Sequence, residues 1–373
     1  MIDPIIAVLG DLHFGNKGHS IEVFEQQMSF IEKQFFPFLL QEQIKFVIQL
    51  GDTFHDRNKV DWYIQNELKK RFFGWFDKNG VELHTLVGNH DTYYKSSLDQ
   101  NSLSETTKFF KNVHVYTKPT RIMCPPYTLG FNPWILDNKN SNLTENVDIL
   151  LGHFDVIGFP MMKGITAKEG LNPKDLSRYK LVLSGHYHIR HIQDNFHMVG
   201  SPFQLSWNDF NEAKGFLVLD NNFNYEYIQN EINPRFVKIY YDNENIEVLG
   251  LDYDDEPIPM SKERSLEIAK KNYCRLFTTQ VDDQMKFELY HTSLLAVSCD
   301  DYKIDIVSLQ DVVEDFDSSE FDTKFEEGET TLQLIISCLE GMTFEPGIDK
   351  DLLVELSKTE YKTAYNEVLS IGD

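Results

Sequence analysis

Five short islands in this chain each end an apolar run: Gly10-Asp11-Leu12-His13, Gly51-Asp52-Thr53-Phe54-His55-Asp56-Arg57, Gly88-Asn89-His90-Asp91, Gly152-His153 and Gly185-His186-Tyr187-His188. Together they offer carboxylates, an amide and several imidazoles, the donor set of borderline divalent metals. Hydrolysing a phosphate ester needs a nucleophile made at neutral pH and neutralised charge on phosphorus, and two metal ions about 3.5 to 4 Å apart supply both. A carboxylate has to bridge such a pair. Asp52 is suited to it, because Gly51 permits a close backbone turn at the strand end. Asp11 and His13 stand two apart and share one face of an extended segment, as do His186 and His188. Asn89 adds a neutral amide oxygen, and His153 a further imidazole. Singly, each island has a bland reading, since Gly-Asp pairs end many strands as turns or helix caps and a Gly-His is more often structural. Five in this order point to one metal centre.

The islands need a scaffold that brings distant positions together, and the first 230 residues supply one by alternating strand and helix patterns. Ile5 to Leu9 is an apolar run, Phe24, Met28, Ile31 and Phe35 keep helical spacing, and Phe46 to Leu50 is a second run. Trp62 to Phe76 reads as another amphipathic helix before the run Thr85-Leu86-Val87. This is a βαβ series. Strand-like pieces follow at Val113 to Tyr116, Thr128 to Trp134, Ile149 to Leu151 and Leu181 to Leu183. Every island then sits at the carboxyl end of a strand, where ligands of α/β sheets collect.

After Asn222 the pattern changes. Arg235 to Tyr241, Tyr273 to Thr278 and Tyr302 to Val307 read as strands and Asp282 to Val297 as a helix, a small α+β domain over 231–310. Residues 311–329 hold nine acidic residues and one Lys with little apolar periodicity, the composition of a solvated linker. In 330–373, Leu332, Ile335, Ile336 and Leu339 form one helical stripe, Pro346-Gly347 breaks it, and Leu352, Leu353 and Leu356 start another. The fold class expected is α/β, with a C-terminal helical pair.

With 373 residues and 41% hydrophobic content the chain can build real cores. Cys124, Cys274, Cys299 and Cys338 lack CxxC spacing, so neither a zinc ribbon nor a disulfide framework is suggested and a reducing compartment fits best. The N-terminus has no basic region followed by an apolar stretch, and no segment runs to roughly 18 apolar residues, so a soluble cytoplasmic protein without membrane contact is expected. A net charge of −24 argues at first against a polyanionic substrate. The distribution of that charge removes the objection: residues 1–230 carry only −4 and residues 231–373 carry −20. Two divalent cations would bring the N-terminal part to neutrality.

The succession Asp-x-His, Gly-Asp-x(n)-Asp-Arg, Gly-Asn-His-Asp, Gly-His and Gly-His-x-His over residues 5–190 resembles the calcineurin-like metallophosphoesterase superfamily. The longer Gly-Asp-Thr-Phe-His-Asp-Arg and the Asp91 depart from the Ser/Thr phosphatase pattern and are similar to the SbcD type, the nuclease subunit of SbcCD and MRN complexes. Lys163-Gly164, Gly200-Ser201-Pro202 and the acidic linker before a helix pair resemble its T-even phage branch. The resemblance implies a β-sandwich flanked by helices, a capping domain, and two metal ions, manganese by preference. One would be held by Asp11, His13, Asp52 and His188, the other by Asp52, Asn89, His153 and His186. It makes His90 catalytic, acting on the phosphate or leaving oxygen and oriented by Asp91; an imidazole beside a developing alkoxide can indeed serve as acid. His55 matches a family histidine near the metals, with a partly buried packing role as the equal alternative.

The same resemblance implies 3′ to 5′ exonuclease action on duplex DNA ends and endonuclease action on single strands. It also implies an SbcC-type coiled-coil ATPase bound through 330–373, and a homodimer within a heterotetramer, in the host cytoplasm if the chain is phage-encoded. Two rivals stand against it. A phosphoprotein phosphatase or cyclic-nucleotide phosphodiesterase needs no residues 231–373, and a non-catalytic scaffold should lack some of these ligands, whereas none is missing. His19, His84, His114, His191, His197 and His291 receive no role. Lys69-Lys70-Arg71 is read as a solvated helix face, and Lys163, Lys168, Lys174, Arg178 and Lys180 as possible phosphate contacts. Tyr93 and Tyr94 are read as local packing rather than a base-stacking pair.

Overall fold

The computed structural model describes residue 3 and residues 5–94, 96–134, 143–162, 165–242, 245–253, 256–278, 283–297 and 305–308, the last as backbone only. The acidic linker, the C-terminal helical stripes and Lys163-Gly164 lie outside the described residues. All elements discussed below belong to one compact unit.

Two six-stranded sheets carry the N-terminal part. The first runs, edge to edge, Tyr225–Gln229, Gly215–Leu219, Ile6–Leu9, Phe46–Gln49, Glu82–Leu86 and Val113–Tyr116. Its last four strands are parallel, with Ile6 beside Phe46, Phe46 beside Glu82 and Leu83 beside Val113, and the first two are antiparallel additions. The second runs His191–Gln193, Phe196–Met198, Leu181–Gly185, Ile149–His153, Tyr127–Asn132 and Thr120–Cys124. Its four central strands are parallel.

Period-two alternation explains the layering. Ile6, Val8, Ile48 and Leu50 point between the sheets and meet Leu129, Phe131, Ile149, Leu151, Leu181 and Leu183 of the other sheet. Ala7, Leu9, Val47 and Leu83 point outward, where Phe24, Met28, Phe35, Phe72 and Phe76 of the helices cover them. On the far side Leu150 and Val182 pack with Phe154, Leu176 and Met198. Strands buried on both faces read as continuous apolar runs, which is why they are visible in the sequence. The expected β-sandwich flanked by helices is the fold found.

The first long helical pattern, Ile21 to Gln41, holds one wider turn at Ile31–Phe35. Pro37 follows that turn; it has no N–H to give to the preceding turn, so the ladder of hydrogen bonds cannot pass through it unchanged. The second, Trp62 to Asn79, is capped by Asp61, whose carboxylate accepts from the amides of Tyr63 and Ile64.

Residues 236–308 form a five-stranded mixed sheet ordered Ile258–Met260, Asn245–Leu249, Phe236–Asp242, Tyr273–Thr278 and Asp305–Ser308. Helices Lys262–Ala269 and Gln284–Val297 pack on it around Ile239, Val248, Leu276, Tyr290 and Leu294. Each expected strand and the helix are present, the last strand described over Asp305–Ser308. This sheet is tied back by Tyr273, whose hydroxyl donates to Gln26 Oε1 at 2.8 Å, and by the Phe236 amide, which donates to Gln204 Oε1 at 2.6 Å.

Candidate active site

Every island lies at the carboxyl end of a strand, three on the first sheet and two on the second. The loops are bound to one another before any side chain converges. The Asp52 carbonyl accepts the amides of Leu12 and His13, both at 3.0 Å. The His186 amide donates to both oxygens of Asp11 at 3.0 Å, and the His90 amide donates to Asp52 Oδ1 at 2.8 Å. Three of the candidate residues hold left-handed backbone, His13 at φ 46°, Asp52 at φ 52° and His186 at φ 94°. Such conformations cost energy and persist where the surroundings fix them, a recurrent property of functional sites. Gly88 is needed because a Cβ there would come within 2.1 Å of Asp52 Oδ1.

Hydrogen bonds set which ring nitrogen each histidine offers. His153 Nδ1–H donates to the Leu50 carbonyl at 2.7 Å, leaving Nε2 at 2.8 Å from Asn89 Oδ1 and 3.3 Å from Asp52 Oδ2. His186 Nε2 is 2.9 Å from Asp155 Oδ1, leaving Nδ1 at 3.0 Å from Asn89 Oδ1. On the other side of Asp52, His13 Nε2 stands 3.7 Å from Asp52 Oδ2, 4.0 Å from Asp11 Oδ2 and 3.0 Å from His188 Nε2. Two clusters thus flank one carboxylate oxygen: Asp11, His13 and His188, and His153 and His186 with Asp52 and Asn89.

Charge inside this buried cluster is balanced by protons. Burial and the neighbouring Asp52, against the pull of His153, push Asp11 up to about 6. Asp52 is held well below the usual carboxylate range despite its burial, because the imidazoles of His153 and His90 stand beside it. His153, despite burial, is raised to about 9 by Asp52. His13 is driven well below its ordinary value by burial and by His188 and His90. Such a set exchanges protons for cations when metal binds.

The residues fit a pair of divalent ions. Asn89 Oδ1 and Asp52 Oδ2, with the ring nitrogens of His186 and, once it gives up its extra proton, His153, are acceptors crowded onto one point, an arrangement that a cation relieves. The buried Nδ2 of Asn89 and Nδ1 of His13 have no hydrogen-bond partner, so these side chains are not oriented by protein bonding alone. Imidazole, carboxylate and amide donors suit borderline divalent ions.

His90 lies at the edge of the first cluster, its ring 4.8 Å from that of His13, and His55 lies 5.3 Å from His13. The structure corrects how His90 is oriented. Its Nδ1–H donates to the His55 carbonyl at 2.6 Å. Asp91 instead uses Oδ1 for the Phe54 amide at 3.0 Å and Oδ2 for the Gly88 amide at 2.9 Å. Adjacent residues in a tight turn point apart, and the buried Asp91, pushed up to about 7 by burial and Asp52, braces two metal-site loops. The His55 carbonyl holds His90, while its ring, lowered to about 4 by burial and by His90, groups with those of His13 and His90.

Sequence reasoning missed three contributors. Gln49, fully buried, donates to the carbonyls of Gly10 and Gly51 and accepts from Thr53, locking two islands together. The Trp134 ring lies 4.9 Å from His186. Asp155 holds His186 as described; its only sequence signal is a polar residue two positions after His153. Of the basic clusters, Lys70 pairs with Glu67, Arg71 with Glu25 and Glu32, and Lys180 with Asp148, so these charges are engaged at the surface. Tyr93 and Tyr94 are half-exposed and meet edge to face at 4.8 Å. A fourth cluster, Glu82, His84 and His114, has its two imidazoles stacked at 25°, so their in-plane lone pairs do not meet at one ion. No described helix is long and apolar enough to cross a membrane.

Comparison with known proteins agrees with this geometry. Residues 5–190 match the calcineurin-like phosphoesterase family. Exonuclease subunit 1 of Enterobacteria phage T4 is 32% identical over 217 residues, 57% of this chain and 63% of that protein. The SbcD subunit of the nuclease SbcCD of Staphylococcus epidermidis is 27% identical over 60% of this chain and 59% of its own length. The DNA double-strand break repair protein Mre11 of Nanoarchaeum equitans is 24% identical over 65% of this chain and 72% of its own. The chain thus spans 63% and 59% of the first two of these relatives. Five islands brought to one buried carboxylate, over the segment that matches, place the chain in the calcineurin-like phosphoesterase family through its domain at residues 5–190.

Proposed function

We propose that this chain is the metal-dependent nuclease subunit of a DNA end-processing complex, acting as a 3′ to 5′ exonuclease on duplex ends and an endonuclease on single strands. The observation that carries the reading is Asp52, whose Oδ1 takes the His90 amide while Oδ2 stands between the two ligand clusters. The names of the relatives, exonuclease subunit, nuclease subunit and double-strand break repair protein, favour DNA over other phosphate esters.

In this reading Asp11, His13, Asp52 and His188 hold one divalent ion, and Asp52, Asn89, His153 and His186 the other, manganese being preferred. When bound, the two ions supply a nucleophile at neutral pH and neutralise charge on the phosphate. Gln49, Asp91 and the Leu50 carbonyl keep the ligand loops in register. His90, with Nδ1–H given to the His55 carbonyl, keeps Nε2 for the phosphate or the leaving oxygen, to which it delivers a proton once doubly protonated. Residues 231–310 act as a capping domain. Residues 330–373 bind an SbcC-type coiled-coil ATPase, which supplies most of the DNA grip, in a heterotetramer built on a homodimer of this chain.

The test is Mn²⁺-dependent release of nucleotides from duplex DNA, run beside a phosphopeptide and a cyclic nucleotide. Preference for DNA is expected. Faster turnover of either of the other two would replace this reading with a phosphatase or phosphodiesterase.

A further inference from the structure

Asp155 is a carboxylate with only 4% of its surface exposed, two residues beyond His153. It lies outside all five islands. One of its oxygens, Oδ1, accepts the Tyr187 hydroxyl at 2.6 Å and stands 2.9 Å from His186 Nε2. Its backbone is clasped from behind, the Leu171 amide donating to the Asp155 carbonyl at 2.8 Å. Gly170 makes that clasp possible. Its φ is +121°, and a Cβ there would sit 2.5 Å from the Asp155 carbonyl.

Burying a carboxylate costs free energy unless hydrogen bonds compensate it, and here the compensating groups are consecutive residues of the Gly-His-x-His island. His186 has left-handed backbone and a ring that Trp134 crowds at 4.9 Å, so the side chain has few other ways to be held. Because a carboxylate accepts only, the His186 nitrogen facing it carries the proton. The lone pair is then on Nδ1, which points at Asn89 Oδ1, 3.0 Å away.

We infer that Asp155 is the positioning residue of the second metal site: it fixes the tautomer and ring orientation of His186, and Tyr187 in turn fixes Asp155. The inference rests on the assignment of His186 as a ligand made above, and extends it to two residues outside the ligand set. A carboxylate behind a ligating imidazole sharpens its orientation and raises its basicity, and removing such a partner weakens metal affinity about 10- to 100-fold.

The experiment is a calorimetric Mn²⁺ titration of the full chain, wild type beside Asp155→Ala and Asp155→Asn, with the imidazole N–H signals of each read by ¹⁵N-histidine NMR. The wild type should take two ions and show a protected His186 Nε2–H signal, assigned by its loss in His186→Gln. In Asp155→Ala one site should weaken about 10- to 100-fold while the other keeps its affinity, and the protected signal should disappear. Asp155→Asn, whose amide oxygen can still accept, should recover part of both. A carboxylate that merely braces the 155–171 loops would lower the melting temperature without this site-selective loss. Two sites of wild-type affinity in Asp155→Ala overturn the inference. If that variant does not fold, wild-type affinity and an unshifted signal in Asp155→Asn overturn it instead. A wild-type protein that takes up no Mn²⁺ overturns the ligand assignment itself, and this inference falls with it.

Discussion

Asp52 and His90 touch through one hydrogen bond, yet they are separable. The His90 amide donates to Asp52 Oδ1, whereas its imidazole is held by the His55 carbonyl, so the side chain is not needed to place the Asp52 carboxylate. Asp52→Asn keeps the shape and removes the charge that both clusters share. It should abolish hydrolysis and weaken both Mn²⁺ sites, and calorimetry that finds two intact sites would reject the bridging role. His90→Gln should retain both ions and lose about 10² to 10⁴ in rate, the usual cost of a missing acid or base. Wild-type turnover in that variant, or the loss of an ion, would sink the proposed role. Gly88 sets a further limit at this scale, since the 2.1 Å available to a Cβ beside Asp52 Oδ1 excludes any side chain there.

At the scale of elements, the strands that carry the islands were legible because burial on both faces writes them as unbroken apolar runs. Which sheet each joins was not. Nothing in the periodicity around Tyr116 to Thr120 marks the crossing from the first sheet to the second, and the strands His191–Gln193 and Phe196–Met198 are too short to carry a pattern. The ligand candidates were legible because their residue types are conspicuous at strand ends. Gln49 and Asp155 were not, since in sequence a polar residue beside an apolar run looks the same whether it is buried and braces a loop or faces solvent. The placement of Asp91 against backbone amides depends on turn geometry, which spacing does not encode. The spacing around His191, His197 and His84 marks no chemistry, but His84 has a structural consequence. It stacks on Phe46 at 4.1 Å and bonds Tyr116, and burial, then the neighbouring His114, lowers it from 6.5 to about 3. A histidine so depressed is neutral in the native state, so its contribution is complete above pH 6.5 and is lost as pH falls from there toward 3. His84→Phe keeps a ring and has no proton to take. Its stability should fall with pH less steeply across that window, by at most about 1.4 kcal/mol per pH unit. Chemical denaturation at a series of pH values checks this, and an unchanged acid limb would show that His84 is not the titrating group.

For the whole molecule the governing fact is an uneven charge: −4 over residues 1–230, where the candidate metal ligands lie, and −20 over residues 231–373. A metal-loaded phosphoesterase part is close to neutral and can approach a phosphodiester, but it has no net positive charge to draw on for the counterion-releasing contacts that give tight DNA binding. On the reading proposed above, the grip comes from a partner. The stripes Leu332, Ile335, Ile336, Leu339 and Leu352, Leu353, Leu356 are the sequence features suited to recruit one, since an amphipathic helix lays its apolar face into a complementary groove. They follow residues 311–329, which hold nine acidic residues and one Lys, the composition expected of a linker. Deleting residues 330–373 should therefore leave a folded protein with basal Mn²⁺-dependent nuclease activity that no longer co-purifies with the proposed coiled-coil ATPase and no longer responds to ATP. Co-purification and nucleotide release with and without ATP test this together, beside a thermal melt of both proteins. If the shortened chain still captures the ATPase, the partner surface lies elsewhere. If instead its melting temperature collapses, those apolar stripes belong to the fold of this chain, and the missing DNA grip has to be sought on the phosphoesterase surface itself.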